Sequence, residues 1–245
     1  SGILERIVVP DRCFIFRVTW MDDNGRRQVN TGYRVQFNNA LGVYKGGTRF
    51  TPNLNLSIVK FLAFEQTFKN ALTNLGMGGA KGGADFDPKG KSDGEIQRFC
   101  QAYMNELYKY IGPTSDVPGG DMGVGAREIG YMVGQYKQLS GSAESIFTGK
   151  PLLSGGSLLR PEATGYGLLY FVERCLMDHD ETFENKNVLV SGAGNVGIHA
   201  AEKAEALGCK VIGISDKEGT LIDRSGLDIN HLKKVNILKR LPLED

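Results

Sequence analysis

The sequence predicts an α/β protein in two parts: residues 1–155 form a domain with a mixed sheet, and residues 156–245 the beginning of a doubly wound parallel sheet. Three observations carry that prediction. Residues 14–20 and 26–37 alternate apolar and polar side chains about Asn24-Gly25, the pattern of a hairpin and hence of non-parallel pairing. From residue 187 a β-rich run leads into Gly192-Ala193-Gly194-Asn195-Val196-Gly197, a helical run and a second β-rich run ending at Asp216. Between these halves, residues 140–156 are rich in Ser and Gly and contain Pro151, which reads as the seam.

In chain order the hairpin comes first, and its Asn-Gly suits a tight turn with positive φ at both positions. Residues 40–50, ALGVYKGGTRF, follow; taken alone, Lys45 and Arg49 read as solvated cations on a surface loop. A helix entered through Asn53 or Asn55 comes next, with Ile58, Phe61, Leu62, Phe68, Leu72 and Leu75 as its buried stripe and Gln66, Lys69 and Thr73 as a polar stripe beside it. It is expected to stop at Gly76. Beyond it, glycines and an alanine surround Lys81, leaving the backbone open to close approach, and residues 80–86 form a short strand. Lys69 and Lys81 converge if the chain turns back at Gly76. Ser92-Asp93-Gly94-Glu95 is a capping-box pattern opening a helix with Ile96, Phe99, Cys100, Tyr103, Leu107 and Tyr110 at helical spacing. Residues 116–125, DVPGGDMGVG, read as a loop in which Asp121 is either an Asx-turn or capping residue or a functional carboxylate. A helix with Ile129, Met132, Val133, Tyr136 and Leu139 closes the domain.

The second part opens with a helix from Arg160 to about Met177, Pro161 being acceptable in its first turn. A lone GxGxxG is a weak signal. Here it stands between a strand at 187–191 and a helix to Leu207, with a second strand at 210–215 and an acid 24 positions beyond the first glycine, which together identify a Rossmann dinucleotide-binding unit. Its glycines bring a pyrophosphate against the backbone at a helix N-terminus, where free N–H groups and the helix dipole favour negative charge.

Composition narrows the possibilities further. With 29 basic and 28 acidic residues the net charge is +1, so any cationic site must be local, and neither nucleic acid nor an anionic membrane is an expected partner. No apolar run reaches membrane-spanning length and the N-terminus lacks a signal-peptide pattern, so a cytoplasmic location is expected. Cys13, Cys100, Cys175 and Cys209 lie far apart in apolar segments, which reads as reduced core thiols rather than a disulfide pair. His179, His199 and His231 share no ligand spacing, so no metal site is expected.

A dinucleotide unit following an α/β domain argues for hydride transfer to or from a nicotinamide, with the substrate held by the first domain across a cleft. The polar candidates there are Lys45, Gln66, Lys69, Lys81 and Asp121, and three lysines suit a small substrate with two carboxylates. Chemistry needs one lysine partly neutral. Bringing an ordinary lysine, near ~10.4, toward neutrality costs about 1.4 kcal/mol per tenfold change in proton affinity, within reach of a poorly solvated pocket with cationic neighbours. Lys81 is the candidate, with Asp121 as its proton-moving partner.

At these residues the sequence resembles a known family. Tyr44-Lys45-Gly46-Gly47-Thr48-Arg49-Phe50, Phe64-Glu65-Gln66-Thr67-Phe68-Lys69-Asn70-Ala71-Leu72, Met77-Gly78-Gly79-Ala80-Lys81-Gly82-Gly83, the run from Asp121 to Gly130 and that from Arg160 to Gly167 are similar to the hexameric glutamate dehydrogenases, over about residues 9–228. The resemblance implies reversible oxidative deamination of L-glutamate to 2-oxoglutarate and ammonia through an imino acid. It implies that Lys45 meets the side-chain carboxylate, Lys69 with Gln66 the α-carboxylate, that Lys81 polarises the C2 carbonyl and activates water, and that Asp121 transfers protons. Thr164 and Arg160 match positions near the substrate or nicotinamide, and Gly192, Gly194, Asn195, Val196 and Gly197 the pyrophosphate turn. For the cofactor, Asp216 by the general rule favours NAD through the ribose hydroxyls. Ser215-Asp216 followed by a polar residue is instead similar to NADP-dependent members, with Lys217 able to pair with a 2′-phosphate, so NADP is expected and NAD is the alternative.

The family's chain continues well past residue 245 and carries a helical N-terminal segment, so the 245 residues are expected to be a truncated portion with an open sheet edge and little turnover alone. The nearest rival is a branched-chain or aromatic amino-acid dehydrogenase of the same family, against which Lys45 counts, because an unpaired cation facing an apolar side chain is costly to bury. A non-catalytic nucleotide binder has no need of Lys81 and Asp121 together. A phosphate-cradling NTPase loop is excluded, since Lys81 lacks the following Ser or Thr.

Overall fold

The protein is described by a computed structural model over residues 2–144, 146–158, 160–217 and 219–235, with Arg160 described in its backbone only. The chain divides into two compact units, Ser1–Ser157 and Leu158–Asp245.

Unit 1 begins with a short helix α1 (Ile3–Ile7) and then strands β1 (Arg12–Met21), β2 (Arg27–Asn38) and β3 (Tyr44–Phe50). Helix α2 (Leu56–Ala71), strand β4 (Gly79–Ala84), helix α3 (Asp93–Leu107), strand β5 (Asp116–Gly119) and helix α4 (Ala126–Ser140) complete it. The five strands form one mixed sheet in the order β1-β2-β4-β3-β5. β1 and β2 are antiparallel, as are β2 and β4, whereas β3 runs parallel to both β4 and β5. The predicted hairpin is present, but its turn is built differently from a two-residue Asn-Gly turn. Only Gly25 has positive φ, at 73°. The Asp22 carboxylate accepts the N–H groups of Asn24 and Arg26, and the Asp22 N–H donates to the Arg26 carbonyl at 3.0 Å, so a side chain and the backbone close the loop together.

One face of this sheet packs on α3 and α4 through Val18, Trp20, Phe50, Phe86, Phe99, Tyr103, Met132 and their neighbours. Phe86 and Phe99 stack with centroids 3.7 Å apart and planes 4° from parallel, and Phe50 meets Phe99 edge-on at 5.1 Å. Such aromatic pairs contribute about 0.5–1.5 kcal/mol each beyond the area they bury. The predicted capping box of α3 forms, Ser92 Oγ accepting from the Glu95 N–H and the Glu95 carboxylate from the Ser92 N–H. The opposite face packs on α2 through Val35, Phe37, Leu54, Val59 and Ala63.

Several expectations require correction. Residues 44–50 are a strand inside the sheet, not a surface loop, and 116–119 are a strand as well. Their glycines and charges hide the usual strand pattern because the side chains line a site rather than a core. The apolar stripe assigned to α2 is out of phase: Phe61 and Leu72 are 60% and 86% exposed, while Val59, Ala63 and Asn70 are buried. Small residues face the sheet because the glycines of β4 draw the helix close. The helix, entered through Asn55, also ends at Ala71 and reaches Gly76 through a turn. Finally, Cys13 and Cys175 are exposed, unlike the buried Cys100 and Cys209; all four are free.

Unit 2 contains α5 (Arg160–Met177), β6 (Asn187–Ser191), α6 (Asn195–Ala206), β7 (Lys210–Ser215), β8 (Thr220–Ile222) and α7 (Ile229–Lys233). β6 and β7 are parallel, as expected of the first βαβ unit; β8, not foreseen, returns antiparallel to β7. Leu169, Ile198, Ala201, Ala204, Val211 and Ile214 form the core beneath α5 and α6. Leu189 and Ile222 remain exposed. The short helix α7 is the last described element, and residues 236–245 lie outside the described residues. No described helix is long and apolar enough to cross a membrane.

Candidate functional site

In unit 1 the strands β3, β4 and β5 bring the sequence candidates together. Lys81 sits in the middle of β4 and is 6% exposed, although nothing in its own neighbourhood of the sequence is large enough to cover it. Part of its surroundings comes from the chain that follows β5. Asp121 lies in that following chain, where its backbone pairs with Val124 in a tight turn and its carboxylate turns toward the sheet. Oδ2 of Asp121 stands 3.5 Å from Lys81 Nζ and accepts a 2.6 Å hydrogen bond from Arg49 Nε. The carboxylate is therefore no helix cap; it is shared between two cations.

The environment of Lys81 makes its protonated form less favourable than that of an ordinary lysine. Burial lowers its pKa, the cations of Arg49 and Lys69 push the same way, and Asp121 opposes them; the net direction is down. Lys69, an exposed side chain of α2, is the smallest of these influences. Lys45 is half-buried, and its Nζ would lie 3.2 Å from a Cβ added at Gly119, so it stands beside the end of β5 two residues before Asp121. Gln66 is joined to the group through Asn70. Its amide donates to Asn70 Oδ1 at 2.8 Å, and Asn70 Nδ2 donates to the carbonyls of Lys45 and Gly78 at 3.0 and 2.6 Å.

Arg49 and Asn70 are the residues that sequence reasoning left without a role. For Arg49 a signal existed: Lys45, Gly47 and Arg49 have strand spacing, so once residues 44–50 are a strand both cations share a face. For Asn70 the signal was its place four residues after Gln66 on the helix. The site offers cations spread around one carboxylate, suited to gripping a small anionic molecule while a largely desolvated amine and an acid exchange protons. Among the described residues no group of His, Cys, Asp and Glu could hold a metal ion.

In unit 2 the turn after β6 is a tight, glycine-dependent one at the N-terminus of α6. Gly192 has φ of 103° and its N–H donates to Ser215 at 2.8 Å; a Cβ on Gly197 would lie 1.7 Å from the Gly192 carbonyl oxygen, so glycine is required at both. Gly194 caps α6 and no side-chain cap occupies that end. Asn195, exposed at the first turn, donates to the Pro161 carbonyl at 2.7 Å, and Val196 beside it is exposed as well. The turn thus presents backbone rather than side chains to a ligand. Asp216 ends β7, where its Oδ1 accepts the Gly219 N–H at 3.0 Å and closes the β7–β8 hairpin. It therefore serves a turn in addition to any ribose it meets. Lys217 follows it and is exposed, as is Thr164 in the first turns of α5. The Arg160 side chain lies outside the described residues.

Comparison with known proteins adds a separate line of observation. Residues 10–138 match the family model described as Glu/Leu/Phe/Val dehydrogenase, dimerisation domain, and residues 155–243 the model described as Glutamate/Leucine/Phenylalanine/Valine dehydrogenase. The chain is 58% identical over 241 residues to the NAD(P)-specific glutamate dehydrogenase of Xylanibacter ruminicola, covering 98% of this chain and 54% of that protein. It is likewise 58% identical over 238 residues to the NADP-specific glutamate dehydrogenase of Salmonella typhimurium, covering 97% and 53%. Among solved structures, Plasmodium falciparum glutamate dehydrogenase superposes with a TM-score of 0.96 at 52% identity, over 99% of this chain and 53% of that one. The hetero-hexameric glutamate dehydrogenase of Thermus thermophilus does so with a TM-score of 0.94 at 33% identity, over 98% and 58%. The chain spans about half the length of the curated relatives it matches.

Proposed function

The chain belongs to the Glu/Leu/Phe/Val dehydrogenase family, and from that premise we propose that the intact protein interconverts L-glutamate with 2-oxoglutarate and ammonia, using NADP in preference to NAD. The observation that carries the reading is the buried Lys81 amine held 3.5 Å from a carboxylate and ringed by further cations. Lys45 meets the side-chain carboxylate of the substrate, and Lys69, with Gln66 beside it, the α-carboxylate. Lys81 polarises the C2 carbonyl and activates water, and Asp121 moves the protons that the formation and hydrolysis of the imino acid require.

The turn from Gly192 to Gly197, with Asp216 and Lys217 toward the ribose, would hold the nicotinamide dinucleotide, which would supply the chemistry of hydride transfer at Cα. The bare N-terminus of α6 and the close backbone approach at Gly197 fit a pyrophosphate there. Thr164 contacts the substrate or the nicotinamide. Residues 1–155 are the substrate-binding and oligomerisation domain and 156–245 the partial nucleotide-binding domain. A hexamer is the proposed assembly, supported by the dimerisation-domain match and by the hetero-hexameric relative. Free thiols among the described residues support a reducing, cytoplasmic setting.

The test is a reductive-amination assay of the intact protein that contrasts NADPH with NADH and 2-oxoglutarate with branched and aromatic oxo acids. The expected result is a clear preference for NADPH and 2-oxoglutarate. Preference for an apolar oxo acid would move the protein to another branch of the family, and absence of turnover with every pair would refute the catalytic reading.

A further inference from the structure

Beneath the site lies an ion pair that the functional reading does not use. Arg34 of β2 and Asp116 of β5 are both fully buried, although three strand positions in the order β2-β4-β3-β5 separate their strands. The guanidinium reaches the carboxylate by passing under β4 at Gly82, where a Cβ would lie 3.1 Å from Arg34 Cδ and 3.2 Å from the Tyr103 hydroxyl oxygen. On the way Arg34 Nη1 donates to the carbonyls of Gly46 and Gly47 in β3, at 3.3 and 3.4 Å. At the far end Arg34 Nε donates to Asp116 Oδ2 at 2.9 Å and Nη2 to Oδ1, a two-pronged grip. The same Oδ2 also accepts the Gln36 amide at 3.1 Å.

The sheet explains why a side chain is needed there. β3 pairs with β5 along residues 44–47 and with β4 only from Thr48 onward, so Gly46 and Gly47 lie outside the β3–β4 ladder even though a Cβ on Gly46 would lie 1.5 Å from the Ala80 carbonyl oxygen of β4. Arg34 supplies a donor to both of their carbonyls. The three strands it joins carry Lys45 and Arg49 on β3, Lys81 on β4, and, two residues past the end of β5, Asp121. A pair required only for cohesion is replaceable by apolar residues, often without loss of stability, because desolvating two charges consumes most of what their attraction returns. A fork with fixed geometry does something that apolar packing does not: it sets spacing.

We propose that Arg34, acting through Asp116 and the Gly46 and Gly47 carbonyls, is a positioning residue that fixes the separation between Lys81 and Asp121. The inference rests on the functional reading for its kinetic consequence, though not for its geometric one. It is tested in the intact protein with the double substitution Arg34→Met and Asp116→Leu, which removes both charges and leaves neither buried alone. Two quantities are measured: the Lys81 Nζ to Asp121 Oδ2 distance in a crystal structure, and kcat, KM and the pH profile for reductive amination. Expected are a folded protein with unchanged NADPH affinity, a separation lengthened past ion-pair range, and a kcat lowered about a hundredfold, the scale of a misplacement near 1 Å. Arg34→Lys, which keeps charge but not the fork, restores only part of the rate, and is measured in the same two ways if the double variant does not fold. An unchanged separation together with wild-type kcat and pH profile overturns the proposal and leaves the pair a staple. Should the unsubstituted protein turn over no oxo acid, the functional reading falls, while the measured separation still decides whether Arg34 positions the site.

Discussion

The two glycine-rich stretches of this chain do opposite things. In β4, Gly79–Ala84, every residue is buried, and the missing side chains let other side chains in: Thr67 packs against Gly79, Arg34 passes Gly82, and Lys81 is left in a largely dry room. In the turn from Gly192 to Gly197 most residues are exposed, and the missing side chains leave the backbone for a ligand to touch. One stretch makes its chemistry from side chains placed by the whole sheet, the other from N–H groups placed by a strand and a helix next to each other in sequence. Sensitivity to single side-chain substitutions should therefore concentrate in unit 1.

The largest effect is expected from Lys81→Met, which should lower kcat by about 10³-fold or more while leaving NADPH affinity within about twofold. Steady-state kinetics alongside fluorescence titration measure both, and a parallel loss of NADPH binding would erase the contrast. The same variant has a signature in stability. Because the folded-state pKa of Lys81 lies below its ordinary value of 10.5, the unfolded chain binds more protons between those values, so this group's contribution to stability rises with pH across that window. Thermal melts at stepped pH should show that rise in the wild type and lose it in Lys81→Met.

Lys45→Leu comes next. It should lower kcat/KM for glutamate by about tenfold to a hundredfold, as expected for a lost hydrogen bond to a charged group, and gain some activity on norvaline or methionine. Unchanged glutamate kinetics would reject its role. Arg49→Met should retain more activity but move the pH profile. Arg49 pushes the Lys81 pKa down, so its removal lets that pKa rise, and the limb that requires neutral Lys81 shifts to higher pH. A profile that stays in place, or shifts to lower pH, contradicts the shared-carboxylate arrangement. The smallest effect is expected in unit 2: Lys217→Ala, at an exposed position, should reduce the preference for NADPH over NADH by about fivefold or less, the scale of an exposed ion pair.

Legibility in the sequence follows the same division. The strands at 187–191 and 210–215, and the helix beginning at Asn195, could be read because strand, glycines and helix are contiguous and each enforces its own local rule. β3 and β5 were missed. Their glycines, lysine and proline argue against strands locally, and it is the close approach of Ala80 to Gly46 and of Gly120 to Gly47 that makes sense of the glycines. The phase of α2 was misread for a related reason: large apolar residues point outward because the glycines of β4 and Asn70 claim the inner face. Lys81, Asp121, Lys45 and Lys69 were legible as residue types and as a pattern, whereas the roles of Arg34 and Asn70 were not: Arg34 belongs to none of the quoted runs, Asn70 stands in one without a chemistry of its own, and both act through contacts with residues distant in sequence.

The central claim is that unit 1 grips both ends of a five-carbon diacid, and competition against 2-oxoglutarate by unreactive acids tests it most directly. Inhibition constants for succinate, glutarate, adipate and the monoacid pentanoate would be measured in the intact protein and in Lys45→Leu. Glutarate should inhibit best, pentanoate weakly, and the preference for glutarate should vanish in the variant. Equal inhibition by glutarate and pentanoate in the unsubstituted protein would contradict the account.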